Sequence, residues 1–421
     1  MGSPGLPRLF ADRRFDAELG RIASVERVRR LLFLVSAIVL VDTMLYAALT
    51  PLLPEYTDDF GLSKTQAGVL VALYAVGVLS FAFPAGVISS RVGSKPAALA
   101  GLLIVGVASV GFAFAGDLWS LSLARFGQGV GSALSWAGGL SWLISASRKE
   151  RRGELLGMAL SAAIVGALLG PVLGGVASVV GTRTAFCAVG LAAGVVALGG
   201  SRVPGVPTEH VSGAALRRAF SSRMFLAGVW LMLLPALLFG ILNVLASLDL
   251  DRLGWGAVAI GAVFFTCAAL EAVVNPFVGR LADRRGPLIP TRAALPAAAG
   301  FSLALAWAGE PRLIAVLAVF ATIAYGTLFA PAFLLLAEGA DRVKLSQGLA
   351  FGIMNGGWAA GAFIGPAAGG ALAESLGDPV AYGLGALACL VTLVAILTRA
   401  HPGTRSLRVP DTELNDAASI R

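Results

Sequence analysis

The chain contains 421 residues, of which 57% are hydrophobic and only 13% are charged. Soluble domains carry about 25% charged residues, so this composition excludes an ordinary soluble globular protein. The apolar segments are continuous and about 20 residues long, which is the length of a spanning helix rather than of a barrel strand. The composition therefore predicts an all-α polytopic membrane protein.

Twelve apolar segments follow one another along the chain. The first, Leu31 to Thr50, is too long for a signal peptide and lacks a small-residue cleavage site, so we expect a retained span. The predicted spans cover residues 31–51, 65–88, 97–115, 118–146, 155–180, 183–200, 225–247, 256–278, 293–308, 312–336, 348–372 and 379–398. The polar connections then define an N-terminal tail (1–30), a six-helix bundle (31–200), a linker (201–224), a second six-helix bundle (225–398) and a C-terminal tail (399–421).

The positive charges lie on one side of these spans. Of 32 Lys and Arg residues, 27 fall in segments that share a side with the N-terminus, and one, Arg125, lies inside a span. The other side carries only Lys64, Arg183, Arg252 and Arg312. This bias predicts that both termini are cytoplasmic in a plasma-membrane protein, and it explains the net charge of +8 without a nucleic-acid partner.

The cysteines and histidines indicate neither a disulfide framework nor a metal site. Cys187, Cys267 and Cys389 lie singly inside apolar segments, while His210 and His401 lie in polar connections. We therefore expect no metal and no cofactor. A proton held inside the membrane would be carried by a carboxylate.

Two motifs occur twice at nearly the same spacing. GALLGPVLGG begins at Gly166 and GAFIGPAAGG begins at Gly361, an offset of 195 residues. GVISSRVG begins at Gly86 and GRLADRRG begins at Gly279, an offset of 193 residues. Parallel repeats of six spans are typical of secondary transporters built from two bundles.

The second pair of motifs resembles the loop signature of the major facilitator superfamily, G-x-x-x-D-R-x-G-R/K. The resemblance implies that the Asp of this signature caps a facing helix and latches the cytoplasmic side. The first copy has Ser90 at this position and the second keeps Asp283. Because Ser caps a helix without adding charge, we expect the second copy to carry more of the latch. The assigned residues are Gly86, Ser90, Arg91 and Gly93, and Gly279, Asp283, Arg284 and Gly286. A tight basic turn is the alternative reading.

The motif of span 5 resembles the G-x-x-x-G-P-x-x-G-G signature associated with proton-coupled exporters of the family. Gly166, Gly170 and Gly174 form a small-residue face, and Pro171 bends the helix. Span 11 repeats the pattern with Gly361, Gly365, Pro366 and Gly369. We expect these residues to act in gating and helix packing. Ordinary glycine packing is the alternative.

Span 4 contains LARFGQGVGSA, in which Arg125 and Gln128 resemble the family motif R-x-x-Q-G. A charge at the bilayer centre costs at least ~2.5 kcal/mol, so Arg125 needs a partner. Asp42 of span 1 lies at a similar depth, and in the family fold both helices line the central cavity. The arginine favours the ionised carboxylate and desolvation favours the neutral one, so Asp42 can change state as substrate or water enters. We predict that proton and substrate compete for Asp42. A purely structural pair is the alternative.

Glu271 is the only other acidic residue placed deep in a span, span 8. A second proton site, a counter-charge for a cation and a structural polar pair all remain open for this residue.

Family analogy assigns a further group of polar and aromatic residues to a substrate cavity. They are Tyr46, Gln128, Ser132, Asn243, Tyr325, Phe329, Asn355 and Trp358. A cavity with two acids, one base and several aromatic rings favours an amphipathic cation or a neutral molecule, through ion pairing and cation–π contact.

The sequence lacks GxxxxGK[ST], HExxH and GxSxG, so neither an ATPase nor a membrane hydrolase is indicated and no enzyme activity is expected. The leading prediction is a monomeric, proton-coupled exporter of small hydrophobic or cationic compounds. The alternatives are a uniporter or symporter for a metabolite such as a sugar or amino acid and, from another class, a membrane-embedded enzyme.

Overall fold

The structure is a computed structural model that describes residues 8–147, 151–205, 220–343 and 347–399. Within these ranges the regular elements are all α-helices. Ten segments of them are long and apolar enough to cross a membrane. Two further helices, of 28 and 30 residues, are also long enough to do so. The predicted all-α polytopic class is confirmed.

The helices follow one another with short connections. Their bounds are α1 (Arg8–Phe60), α2 (Lys64–Val92), α3 (Ser94–Ala113), α4 (Leu118–Ser145), α5 (Arg152–Val180), α6 (Thr182–Ser201), α7 (Arg223–Arg252), α8 (Ala257–Arg285), α9 (Leu288–Leu305), α10 (Pro311–Gly326), α11 (Phe329–Arg342), α12 (Gln347–Leu376) and α13 (Asp378–Arg399). We call α1 to α6 the N-half and α7 to α13 the C-half.

The first and the tenth predicted spans differ most from the helices of the structure. Helix α1 is 53 residues long, so from Arg8 onward the predicted tail is helical. The predicted span 312–336 is interrupted between Gly326 and Phe329 and forms two helices, α10 and α11. Pro331 contributes to this interruption because it has no N–H to bond the carbonyl of Thr327. Most of the predicted linker and C-terminal tail lies outside the described residues.

The last glycine of each loop motif forms a tight connection. Gly93 joins α2 to α3 with φ of 110°, and Gly286 joins α8 to α9 with φ of 83°. These backbone angles favour glycine, since a Cβ atom would be strained there. At the start of α4, Asp117 caps the helix by accepting a hydrogen bond from the N–H of Ser120 at 2.8 Å. The hydrogen bonds from Ser120 lower the pKa of the exposed Asp117 carboxyl.

The glycine face of α5 packs against α1 within the N-half. A Cβ atom at Gly166 would lie 2.5 Å from the carbonyl oxygen of Leu40, and one at Gly170 would lie 2.9 Å from that of Met44. The matching face of α12 packs against α7 within the C-half, where a Cβ atom at Gly365 would lie 2.8 Å from the Cα atom of Leu237. The repeated glycines therefore bring helices of the same half together.

The two prolines of the same motifs lie at the boundary between the halves. A Cβ atom at Gly261 of α8 would lie 2.8 Å from the carbonyl oxygen of Pro171 in α5. In the pseudo-symmetric position, a Cβ atom at Gly68 of α2 would overlap the carbonyl oxygen of Pro366 in α12. The two glycines are 193 residues apart and the two prolines 195. The sequence repeat is thus also a repeat of contacts.

Helices α2 and α12 are close at one side of the bundle and separate towards the other. At the side where α2 begins, which we call the Lys64 side, Lys64 Nζ lies 2.5 Å from Asp378 Oδ1. There the N–H of Thr65 also donates to Glu374 Oε2 at 2.8 Å. At the opposite side, which we call the Gly93 side, a Cβ atom at Gly86 or Gly356 would meet nothing within 4 Å. The halves are therefore joined by polar contacts at the Lys64 side, and free space surrounds these two glycines at the Gly93 side.

Candidate proton and substrate site

Asp42 of α1 contacts side chains of α2 and α4 and is 3% exposed. The hydroxyl of Tyr74 donates to its Oδ1 at 2.9 Å. The hydroxyl of Ser132 and the indole N–H of Trp136 donate to its Oδ2 at 2.8 and 2.6 Å. Three neutral donors therefore surround this carboxylate and stabilise its ionised form.

Arg125 is 1% exposed, and the expected direct ion pair with Asp42 is not formed. Its Nη1 donates to Gln128 Oε1 at 2.9 Å and to the carbonyl oxygen of Leu45 at 3.4 Å. These acceptors hold the guanidinium over the ring of Tyr74, with Cζ 5.1 Å from the ring centroid. Tyr74 thus contacts the arginine with its ring and the aspartate with its hydroxyl.

Two predicted cavity residues belong instead to this buried network. Gln128 is fully buried, accepts from Arg125 and donates from Nε2 to Ser109 Oγ at 3.2 Å. Ser132 is 3% exposed and donates to Asp42. Arg125 Nε and Nη2 are buried and have no hydrogen-bond partner in the described part of the chain. The network therefore holds a guanidinium that is only partly satisfied.

Two other predicted cavity residues meet across the halves. The ring centroids of Tyr46 in α1 and Trp358 in α12 lie 5.1 Å apart with an interplanar angle of 67°. Tyr46 also contacts the ring of Tyr74 at 5.1 Å, and Trp358 packs on Tyr74 and Val78. Both Tyr46 and Trp358 are half-buried. They form an aromatic wall next to the residue that binds Asp42.

In the C-half, Tyr325 does not line a cavity in this conformation. It is 1% exposed, and its hydroxyl shares a hydrogen bond of 2.7 Å with Ser302 of α9. The ring of Tyr325 lies edge-on to that of Phe239 at 5.6 Å. Phe329 stacks on the ring of Phe239 at 6.1 Å. The remaining predicted residues, Phe329, Asn243 and Asn355, are half-buried.

Glu271 is half-buried in α8, and its surroundings differ from those of Asp42. Its Oε1 accepts a hydrogen bond from Asn275 Nδ2 at 3.3 Å. No Lys or Arg lies within 4 Å of the carboxylate in the described ranges. Its side chain rests against Gly326, the last residue of α10.

The two loop motifs do not latch the halves together in this conformation. The hydroxyl of Ser90 donates to the carbonyl of Val87 at 2.9 Å in its own helix, rather than capping a facing helix. Asp283 is exposed and forms no ion pair with a residue that the structure describes. Both findings agree with the free space around Gly86 and Gly356 at the Gly93 side.

A cavity of about 670 Å³ lies at the Lys64 side. Helices of both halves line this cavity. Its wall includes the carboxylates of Glu55, Asp58 and Asp251. Asp58 is about 24 Å along α1 from Asp42 at 1.5 Å per residue, so this cavity is separate from the buried network.

Sequence reasoning missed Tyr74 and Trp136. Trp136 follows Ser132 by four residues and Arg125 by eleven, so the face of α4 that carries the predicted residues continues to it. No comparable signal identifies Tyr74, because its contacts with Asp42 and Arg125 arise only when α2 packs between their helices.

The profile of the Major Facilitator Superfamily matches residues 32–346 of the chain. A solved structure of a bacterial homolog to the human lysosomal transporter Spinster, in an inward-facing and occupied conformation, superposes with a TM-score of 0.68. Sequence identity to it is 17%, and the match covers 87% of this chain and 94% of that one. At this identity the likeness concerns the fold.

Curated relatives match shorter stretches. A probable vesicular acetylcholine transporter-B of Danio rerio is 35% identical over 173 residues, which are 37% of this chain and 35% of that protein. A multidrug resistance protein MdtL of Vibrio parahaemolyticus is 30% identical over 106 residues, which are 25% of this chain and 27% of that protein. The chain therefore spans only about a third of the length of these relatives, or less.

Proposed function

Since the chain belongs to the major facilitator superfamily and is a membrane transporter, we propose that it exports small hydrophobic or cationic compounds in exchange for protons. The names of two relatives support this substrate class, because one is a multidrug resistance protein and acetylcholine, named in the other, is a small organic cation.

The environment of Asp42 carries the proposal. A buried carboxylate that accepts from three neutral donors and lacks a direct ion pair can take up a proton without breaking a salt bridge. Protonation removes a whole negative charge from the membrane interior, where an uncompensated charge is costly. Asp42 thereby offers one site at which the binding of a proton and of a cation exclude each other.

Trp136 connects this carboxylate to the substrate. Its indole N–H is bonded to Asp42 at 2.6 Å, while the residue as a whole is only half-buried. A substrate that stacks on the indole, or on the nearby rings of Tyr46 and Trp358, therefore changes the hydrogen bonding of Asp42 as it binds. Cation–π contact with such rings favours an amphipathic cation.

The direction of opening gives the transport step. With the Gly93 side open, substrate enters between the halves and the proton leaves Asp42. After the halves rock to open the Lys64 side, a proton binds Asp42 and the substrate is released. The excess of Lys and Arg at the Gly93 side supports a cytoplasmic location for that side and for both termini. We propose that the protein acts as a monomer in the plasma membrane.

Transport in proteoliposomes tests the proposal. A pH gradient that is acidic on the Lys64 side should drive accumulation of ethidium, and Asp42→Asn should sharply reduce the accumulation while leaving exchange of ethidium between equal concentrations intact. Asp59→Asn, which removes an exposed carboxylate of the same helix, is the matched control and should transport normally. Undiminished accumulation by Asp42→Asn would refute the role of this residue. Accumulation of a sugar or amino acid together with protons would favour a symporter instead.

A further inference from the structure

The membrane segment that contains α10 and α11 is interrupted beside Glu271. Helix α10 ends at Gly326 and α11 begins at Phe329. The N–H groups of Thr327 and Leu328 bond back to Ile323 and Tyr325, which closes the last turn of α10. Glu271 is 14 residues from the start of the 29-residue helix α8, so this break lies near the middle of the membrane.

The carboxyl group of Glu271 packs directly on the end of α10. A Cβ atom at Gly326 would lie 2.6 Å from Cδ and 2.7 Å from Cγ of Glu271, so a side chain there would displace the carboxyl group from its present position. Glu271 Oε1 accepts from Asn275 at 3.3 Å, and no second donor to the carboxylate is found among the described residues. The carboxyl group is held at the break but is not neutralised there.

A negative charge is unfavourable at this position. The C-terminal end of a helix carries a partial negative charge of about half an elementary charge, and Glu271 faces such an end. No Lys or Arg lies within 4 Å of it in the described ranges. An uncompensated charge inside the membrane has to be balanced by a bound cation or removed by a proton.

Ionisable groups on α8 and on the helices packed against it are the candidates for balancing the charge of Glu271. Helix α8 itself offers the buried thiol of Cys267, one turn before Glu271. Helix α10 offers Tyr325, whose hydroxyl is engaged by Ser302. The others include Arg280, Asp283, Arg284 and Arg285 of α8, Arg312 of α10, Arg292 of α9, Asp42, Tyr46, Glu55, Tyr56, Asp58 and Asp59 of α1, Arg223, Asp249, Asp251 and Arg252 of α7, Glu338, Asp341 and Arg342 of α11, and Arg152 and Glu154 at the start of α5. In the described ranges, none of them forms an ion pair with Glu271.

We propose that Glu271 and the break between α10 and α11 form a second proton-binding site, which takes up and releases one proton in each transport cycle. The proposal rests on the proposed proton-coupled transport and extends it to the C-half. The incoming proton forms an O–H bond on the carboxylate and removes its charge, and the reverse step returns the proton to the opposite side. Pro331 leaves the carbonyl of Thr327 in the same break without its usual helical donor.

A proton fits this site better than a metal ion does. A sodium or calcium ion needs several oxygen ligands around it, whereas one side of Glu271 is filled by the backbone of Gly326 and the neighbouring Asn275 donates to it. Because the carboxyl group packs on the end of α10, its charge also acts on the bend. The ionised form is repelled by the helix end, and the neutral form is not.

Infrared difference spectroscopy detects the proton without any transport. In a pH titration of the purified protein, the carbonyl stretching band of a buried protonated carboxyl should include one component that Glu271→Gln removes and one that Asp42→Asn removes. Loss of a single band with Asp42→Asn and no change with Glu271→Gln would overturn the proposal while leaving the role of Asp42 intact.

The transport stoichiometry gives the second readout. In proteoliposomes, the wild-type protein should exchange two protons for each ethidium, and Glu271→Gln should exchange one while still responding to the pH gradient. Unchanged stoichiometry, or driving of transport by a sodium gradient, would contradict a second proton site. Complete loss of ethidium binding would make Glu271 a substrate counter-charge instead and would equally contradict it.

A glycine variant tests the position of the site. Gly326→Ala should displace the carboxyl group and lower the stoichiometry as Glu271→Gln does. Gly300→Ala is the matched control, because a Cβ atom there meets nothing within 4 Å, and it should leave the stoichiometry unchanged. If Gly326→Ala folds and keeps both protons, the contact with the break is not part of the site.

Discussion

The hydroxyl of Tyr74 donates to Asp42 at 2.9 Å, while the ring of the same residue lies 5.1 Å from the guanidinium carbon of Arg125. The aspartate and the arginine therefore act on each other through a tyrosine rather than through a salt bridge. A direct buried pair would resist protonation of Asp42, because the proton would leave Arg125 without a partner. An intervening aromatic ring keeps a cation nearby and leaves the carboxylate free to exchange its proton.

Removing only the hydroxyl isolates this contribution. Tyr74→Phe keeps the ring beneath Arg125 but takes one donor from ionised Asp42. A hydrogen bond to a charged group contributes about 1.5–3 kcal/mol, so the pH at which ethidium binding is half-maximal should rise by about one to two units. Fluorescence titration of ethidium binding across pH measures the shift.

A second tyrosine serves as the control for that titration. Tyr325→Phe removes a hydroxyl that is equally buried but bonded to Ser302 in the C-half, so its pH dependence should match the wild type. If both variants shift the curve by the same amount, the effect does not come from the contact with Asp42.

The ion pair of Lys64 with Asp378 should stabilise the conformation that is closed at the Lys64 side. The two side chains are 30% and 18% exposed, so the pair is worth at most about 1 kcal/mol, or about a fivefold change in the population ratio. Lys64→Gln should therefore increase the fraction of molecules that open at this side. Double electron–electron resonance gives the distribution of distances between spin labels at positions 59 and 253, which lie in different halves. The share of long distances measures the fraction of open molecules.

Charge exchange is the control for this prediction. Lys64→Asp combined with Asp378→Lys restores opposite charges and should return the distance distribution towards that of the wild type. An identical distribution in Lys64→Gln and the wild type would show that the pair does not hold the halves together.

The glycines of α5 should be needed for stability within the N-half. Gly170→Ala places a methyl group 2.9 Å from the carbonyl oxygen of Met44, so α1 and α5 must separate. Overpacking of this kind destabilises by about 1–3 kcal/mol, and the midpoint of thermal unfolding in detergent should fall. Gly194→Ala in α6 has free space at its Cβ position and should leave the midpoint unchanged. Equal midpoints for the two variants would contradict tight packing of α5 on α1.

Much of the fold follows from the sequence because bilayer thickness dictates the length of each span and the repeated glycines mark the paired helices. The interruption at Gly326 was missed, although Gly326 and Pro331 flank it and both residue types disfavour a continuous helix. Because residues 312–336 form one apolar segment of spanning length, the sequence predicted a single helix there.

The candidate site was predicted only in part. Asp42, Arg125 and Ser132 were recognised as polar residues inside apolar spans, and the structure brings them to one place around Tyr74. Whether Asp42 and Arg125 pair directly depends on the side chain that packs between their helices. Depth along a helix does not reveal that, so the expected salt bridge was wrong.

Proton movement driven by substrate tests the central claim most directly. Proteoliposomes that contain a pH-sensitive dye and no initial pH gradient receive ethidium on one side, and the internal pH is followed. Wild-type protein and Asp59→Asn should move protons against the direction of ethidium, whereas Asp42→Asn should produce at most half of the wild-type pH change for each ethidium, the part that Glu271 carries. A pH change in Asp42→Asn as large as that of the wild type would contradict the assignment of Asp42 as the proton carrier.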